Sequence, residues 1–334
     1  MKKVIRYFIG DENIRKIKLN RRMMVNYMAD YKLYKRYSTL YNKSSLENKE
    51  ADLILNYHSI EKGLLHDKIK PRFARYRVET LIKLLSDNSI RESISRSQIR
   101  VAFCVMCEYY ELHLKLGVDI EDFFPKIEYQ QFRTLLKDDY EESFEGALSF
   151  NKDEFYKHIE SKFHDFSNSR KSIRHFTGEK IEVGRIQNAI ALASNAPSVC
   201  NRQASKVYLI QNKDIIDKIL KVQGGLNGYT DKIAQLLILT NDRRYYYTIG
   251  ERNQFYIDGG VFLMNILYSL HYYKIANCPA NWGKMINEEA SVYKLLDISE
   301  SEKIICVIAI GEAESKFRVT LSKRRPVEEF FIIK

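Results

Sequence analysis

The sequence predicts two domains, an all-α one over residues 1–165 and a layered α/β or α+β one over residues 166–334. Three observations lead there. Gly and Pro are nearly absent from the first half, where apolar residues recur at helical spacing. After about Phe166 a polar Ser-Asn-Ser-Arg stretch gives way to short apolar runs that alternate with helical patterns. The chain is 45% hydrophobic and 12% aromatic, which supplies a packed core and argues against disorder.

In the first half, Val78, Leu81, Ile82, Leu84 and Leu85 form one helical stripe, and Val101, Cys104, Val105, Tyr109 and Leu112 form another. Breaks are predicted near Gly10–Asp11, Gly63, Pro71, Asp87–Ser89, Gly117 and Pro125. In the second half, residues 181–196 read as a buried helix, 206–211 as a strand and 214–222 as a short helix. A Gly-rich turn at 223–229 leads to a buried strand at 235–240, and 253–273 reads as a long apolar helix. Another buried strand is expected at 304–311 and a short extended tail at 327–333.

Composition narrows the function classes. The longest apolar run, about seven residues around Ile304–Ile310, is far too short to span a bilayer. No apolar segment of signal-peptide type follows Met1. Five scattered cysteines do not form a disulfide framework, so a cytoplasmic location is expected. The net charge of +11 divides into +7 from Ser161 onward and +4 before it, while residues 1–22 alone carry +6. That leading segment could touch anionic lipid or nucleic acid. A solvated helix face is the plainer reading, and no nucleic-acid partner is expected.

Four segments of the second half can carry chemistry. Ser169-Arg170-Lys171-Ser172-Ile173-Arg174-His175-Phe176 places three cations and two hydroxyls before a helix, an anion cradle in which Arg offers a planar fork. Ala196-Pro197-Ser198-Val199-Cys200-Asn201-Arg202-Gln203 reads as a stiffened polar loop with donors and acceptors for a heteroaromatic edge. Asn277-Cys278-Pro279-Ala280-Asn281-Trp282 reads as a rigid loop with backbone N–H groups and an aromatic wall. Leu321-Ser322-Lys323-Arg324-Arg325-Pro326 is a second cationic fork.

In order and approximate spacing, these segments resemble the FMN-dependent nitroreductase family. The helix from Asp258 to Tyr273 resembles its central helix, and Val307-Ile308-Ala309-Ile310-Gly311 its late core strand. The resemblance covers roughly residues 165–334. It implies an α+β fold, a mixed sheet flanked by helices, preceded here by the helical extension. It implies FMN as cofactor, with Arg170 and Arg324 on its phosphate, Lys171 assisting and Ser172 near the ribityl phosphate. Arg174 would face the N1/O2 edge of the ring. Pro197, Ser198 and Asn201 would line the ring from the partner subunit of a homodimer with composite sites. Pro279, Ala280, Asn281 and Trp282 would lie beside the reactive edge, and Ser322 would accompany Arg324.

The implied activity is oxidoreduction of a small molecule. NADH or NADPH reduces the flavin, and an unidentified acceptor follows in a ping-pong cycle. FMN carries that chemistry, so no side chain is assigned as catalytic and no metal is called for. A flavin oxidase or dehydrogenase of a peptide or sugar precursor is an alternative, as is a non-catalytic adaptor working through the helical domain. The chain departs from the family pattern at Gln203-Ala204, in the absence of an acid before Trp282, and in lacking a long insertion between Phe262 and Pro279.

Other signals are read as structural. Cys104-Val105-Met106-Cys107 lies in a helical apolar pattern, so its cysteines are expected to be buried helix residues. Gly224-Gly225-Leu226-Asn227-Gly228 lacks the strand-to-helix context of a dinucleotide site; it remains a turn, with Asn227 a weak ligand candidate. Tyr245-Tyr246-Tyr247 reads as a packed surface loop, and His58 to Gly63 as a helix C-terminus.

Overall fold

A computed structural model of the chain describes residues 10–66, 68–137, 140, 146–246 and 248–334. The chain divides into two compact units, one of Met1–Leu148 with Thr320–Lys334 and the other of Ser149–Val319. This division differs from the boundary that composition placed at 165/166, and it gives the last residues to the helical unit. An ionic requirement inside that unit accounts for the second difference. Glu50 is 2% exposed, and its carboxylate meets Arg96 at 2.6 Å and Arg325 at 3.0 Å. A buried carboxylate needs such partners, and one of them comes from the C-terminal stretch.

The helical unit contains α1 (Asp11–Tyr37), α2 (Leu46–Gly63), α3 (Arg75–Leu85), α4 (Asn88–Glu92), α5 (Ser97–Lys115) and α6 (Lys126–Leu136). The breaks fall where Gly, Pro and Asp placed them: α1 starts after Gly10, Asp87 caps α4, and Pro125 precedes α6. α5 is apolar nearly all round and is therefore enclosed. Its Phe103, Val105, Met106 and Tyr109 are fully buried in one core with Leu53 and Ile60 of α2, Leu81 of α3 and Phe132 of α6. Cys104 and Cys107 lie in this helix as expected, and burial pushes the Cys104 thiol up to about 11 and Cys107 higher still. His58 meets Glu61 at 2.9 Å within the last turns of α2. The tail expected to be extended opens instead with a 3-10 turn, Val327–Glu329. There Glu329 accepts from the backbone N–H of Ser97 at 2.8 Å.

The C-terminal unit holds β1 (Ala147–Asn151), whose first residues precede the division, α7 (Lys152–Phe155), α8 (Phe163–Ser169) and α9 (Val183–Ala193). β2 (Ser205–Ile210), α10 (Lys213–Gln223), β3 (Gln235–Asp242), α11 (Gln254–Tyr272), β4 (Ala276–Asn281), α12 (Ile286–Leu296), β5 (Glu302–Gly311) and β6 (Lys316–Thr320) follow. β1 pairs with β6, and the main sheet has the order β2-β3-β5-β4. The α+β class stands, but all three pairings of the main sheet are antiparallel, where a mixed sheet was expected. Period-two alternation sorts its side chains. Leu237, Leu239, Ile308 and Ile310 pack on Ile186 and Ala189 of α9 and on Ile266 and Leu270 of α11. Leu236, Ile238, Val307 and Ala309 occupy the alternate positions and are fully buried too.

The largest local difference concerns Asn277–Asn281, expected as a loop and observed as the edge strand β4. The backbone oxygens of Asn277 and Asn281 accept from Ile173 and from the Gln223 side chain, so odd positions face away from β5. Pro279 shares that parity and therefore gives up no ladder hydrogen bond. The sequence reading also passed over β1, β6, α8 and α12. No helix among the described residues is long and apolar enough to cross a membrane.

Gly63 is needed for packing. A Cβ there would collide with the Phe73 ring, which is held at 5.1 Å from Tyr109 and 6.1 Å from His113. Gly63→Ala should therefore destabilise the helical unit by about 1–2 kcal/mol, although alanine is the better helix former. Adding Phe73→Leu should recover most of that loss in denaturant unfolding followed by circular dichroism. A gain in stability from Gly63→Ala alone would contradict the account.

Candidate functional site

The edge of β4 gathers the segment carrying Arg174 and the Gly-rich turn. The segment after α8 runs beside it: the N–H of Ile173 donates to the Asn277 carbonyl at 2.9 Å, and Phe176 bridges to Ala313 beyond β5. This places Arg174, 9% exposed, against the start of the strand. Two of its guanidinium nitrogens, Nε and Nη1, are buried without a hydrogen-bond partner. The side-chain Oδ1 of Asn277, a residue 2% exposed, is likewise buried and unmet. Protein interiors rarely tolerate such groups, because each forfeits its hydration. This donor and this acceptor, left open on neighbouring stretches of chain, are positions that a polar ligand would complete.

The Gly-rich turn closes the same edge. Gly224 ends α10 in a left-handed conformation, φ 76°, which glycine adopts without strain. Gln223 then accepts from the N–H of Gly225 at 2.6 Å and donates to the Asn281 carbonyl at 3.0 Å. Tyr229, at the end of the turn, sits in the field of Arg174. Burial pushes its hydroxyl up to about 12, against the pull of that guanidinium, so it stays a neutral donor. Trp282 is turned inward, 4% exposed, and its indole N–H donates to Glu289 at 3.2 Å. Glu289 also takes Lys303 at 2.5 Å.

A second anchor sets the Arg170–Lys171 stretch. His271 of α11, 1% exposed, lies with its Nε2 at 2.8 Å from the Ser169 hydroxyl. Burial, and then the charges of Arg170 and Lys171, push its imidazole down to about 4. The ring is therefore neutral at physiological pH and holds the chain immediately before the two cations. Lys171 donates to the Asn168 carbonyl, and Ser172 is half-buried.

Pro197, Ser198 and Asn201 collect elsewhere in the unit, around Asp258 near the start of α11. This carboxylate, 5% exposed, accepts from the N–H of Val199 at 3.2 Å, from Tyr246 at 3.1 Å and from Gln254 at 2.8 Å. It holds a loop in which Cys200, Asn201 and Gln203 all have φ near +50°, a costly conformation for residues with a Cβ. Ser198 accepts from the N–H of Gln203 at 3.0 Å. Pro197, Ser198, Gln203, Asp258 and Phe262 line a cavity of about 140 Å³.

Ser322 and Arg324 belong to the helical unit, where Arg324 is exposed and donates to the Ser322 carbonyl at 3.0 Å. Asn227 is exposed on the Gly-rich turn, Tyr245 is exposed, and Tyr247 lies outside the described residues. Tyr229, Asn277, Asp258 and His271 were not singled out as site residues. A signal existed for two of them, since Asp258 and His271 are polar residues inside an apolar helix. Among the described residues no group of three or more His, Cys, Asp or Glu side chains is arranged to hold a metal ion.

The model of the Nitroreductase family matches residues 168–231, which span the Arg174 segment, the Pro197–Asn201 loop and the Gly-rich turn. The resemblance read from the motifs therefore stands for this part of the chain. Among solved structures, a nitroreductase-like protein of Streptococcus mutans is 19% identical, covering 53% of this chain and 99% of its own, with a TM-score of 0.44. A chain from Desulfovibrio desulfuricans solved in complex with FMN is also 19% identical, covers 52% of this chain and 97% of its own, and has a TM-score of 0.43. The ydfN chain of Bacillus subtilis is 18% identical, with coverages of 52% and 100% and a TM-score of 0.46. The comparison with curated proteins gives no match.

The buried neutral imidazole has a measurable consequence. Its folded pKa, about 4, lies below the ordinary 6.5, so only the unfolded chain takes up the proton readily. Stability is complete above about pH 6.5 and falls as pH drops toward about 4, by up to roughly 3 kcal/mol at about 1.4 kcal/mol per unit. Denaturant unfolding of the full chain across this range should show the loss, and His271→Gln should flatten its slope. An unchanged slope in that variant would remove His271 as the cause.

Proposed function

We infer that the C-terminal unit binds FMN along the β4 edge and works as a flavin-dependent oxidoreductase on a small molecule. The observation that carries this is the buried guanidinium of Arg174 with two nitrogens unmet, beside the unmet Oδ1 of Asn277. The ring edge of a flavin offers acceptors at N1 and O2 and a donor at N3, which are the complements of those two groups. When bound, FMN accepts a hydride and passes electrons onward, with NADH or NADPH as donor in a ping-pong cycle. A cation at N1/O2 favours the reduced, more negative ring.

The other residues serve this arrangement. Arg170, Lys171 and Ser172 would meet the phosphate end, on a stretch held by the neutral His271. Pro279, Ala280 and Asn281 would present the strand edge to the ring, with Trp282 fixed behind them by Glu289. Tyr229 would add a neutral donor. The proposal rests on residues of the C-terminal unit alone.

A homodimer belongs to the same reading. α11 leaves Ile257 58%, Val261 40%, Met264 38% and Tyr272 44% exposed, one apolar stripe at helical spacing on a helix otherwise built into the core. A second copy covering that stripe would bring its Pro197, Ser198 and Asn201 loop to the ring.

Purified protein should be yellow, and NADH or NADPH should bleach it anaerobically. Arg174→Gln should weaken FMN binding about ten- to a hundredfold, the worth of a buried charged hydrogen bond, as read by fluorescence titration. Retention equal to the parent's would refute the site, and colourless protein that takes up no FMN would favour the adaptor alternative. Separately, Val261→Asp with Met264→Asp should shift a dimer to monomer in light scattering; a dimer that persists would place the interface elsewhere.

A further inference from the structure

The helix α1 buries none of its 27 residues. A helix laid on a bundle buries one face, and the plain reading of a basic leading segment expects that. Here the apolar residues are exposed as well: Met24 is 72%, Ile17 57%, Tyr34 60% and Tyr31 52% accessible. Val25 and Leu33, 60% and 55% exposed, stand on one side, and a denser set stands on the other. Asn20, Met23, Met24, Tyr27, Met28 and Tyr31 line one shallow groove along the helix. By helical spacing, Arg15, Lys18, Arg22 and Arg36 fall on the other side, whereas Lys16 and Lys35 share the side of the groove and Arg21 and Lys32 flank it.

Charge decides what this face suits. α1 carries eight basic and three acidic side chains, a net +5, so pairing two copies would bring like charges together. A nucleic acid would use the cations and stack its bases on the tyrosines, but it would leave Met23, Met24 and Met28 in water. An anionic bilayer uses both: apolar side chains enter the headgroup boundary, tyrosines suit its mixed polarity, and lysines and arginines hold phosphate and carboxylate groups. We propose that α1 is a docking helix for an anionic membrane surface, which it meets through Met24, Tyr27, Met28 and Tyr31. This does not depend on the cofactor reading.

Co-sedimentation of the full chain tests it, with vesicles of equal parts phosphatidylserine and phosphatidylcholine against phosphatidylcholine alone. The protein should pellet with the first at low salt and stay in solution with the second. Arg21→Gln with Lys35→Gln should cost about fivefold in affinity for each charge. Met24→Asp with Tyr31→Asp should abolish pelleting while leaving circular dichroism and flavin content unchanged, since both residues are exposed. Equal partition on the two vesicles, or on neither, overturns the proposal. Lipid-free self-association that Met24→Asp with Tyr31→Asp breaks would assign the face to a second copy. Tighter retention on polyuridylic acid than on the serine-lipid vesicles would assign it to nucleic acid, and either result overturns the proposal.

Discussion

The antiparallel pairing of β3 with β5 constrains the C-terminal unit more than any other contact. β3 is buried at every position and β5 at all but Ile305. The middles of the two strands put apolar side chains on both faces, and the polar residues at their ends are satisfied inside the unit, Glu302 accepting from Lys206, Tyr208 and Thr240. Unmet polar groups lie instead at an edge, the one that β4 supplies. There alternate carbonyls face outward, and a proline can stand in the strand without breaking its ladder. The segment carrying Arg174 and the Gly-rich turn both use those outward carbonyls, so the requirement that closes the sheet also assembles the candidate site.

Two buried polar side chains on α11 do comparable work along its length. Near its start Asp258 holds the backbone of the Pro197–Asn201 loop in a left-handed path that the chain would otherwise avoid. Near its end His271 fixes Ser169 and stays neutral, because a charge there would be buried beside two cations. One helix thus positions both polar segments while its apolar residues pack on the sheet. Arg174 differs in kind. Its neighbours do not satisfy it, and that is why it speaks for a ligand while Asp258 and His271 speak for architecture.

In the helical unit the balance lies elsewhere. α5 is enclosed by hydrophobic contact, and the C-terminal stretch joins the unit through an ionic one, Arg325 on the buried Glu50. α1 takes no part in that core. Most helices in proteins draw their stability from packing rather than propensity, and α1 leaves its Met and Tyr residues open to an external surface.

The order of elements was legible from the sequence, because periodicity and punctuation are local. The strands at 206–211, 235–240 and 304–311 and the helices at 181–196, 214–222 and 253–273 appear within a few residues of where their patterns placed them. The basic stretch around Arg170 and the Pro197–Asn201 loop were legible as polar segments out of place. Tertiary structure alone decided the rest. Pro279 reads as a loop until β5 shows it standing on an edge. Cations read alike until burial sets Arg174, closed off from protein acceptors, apart from the exposed Arg324. The C-terminal tail reads as the end of one domain until the buried Glu50 claims Arg325. In each case the deciding quantity, which neighbour satisfies a polar group, is set by residues distant in the chain, and no local pattern records it.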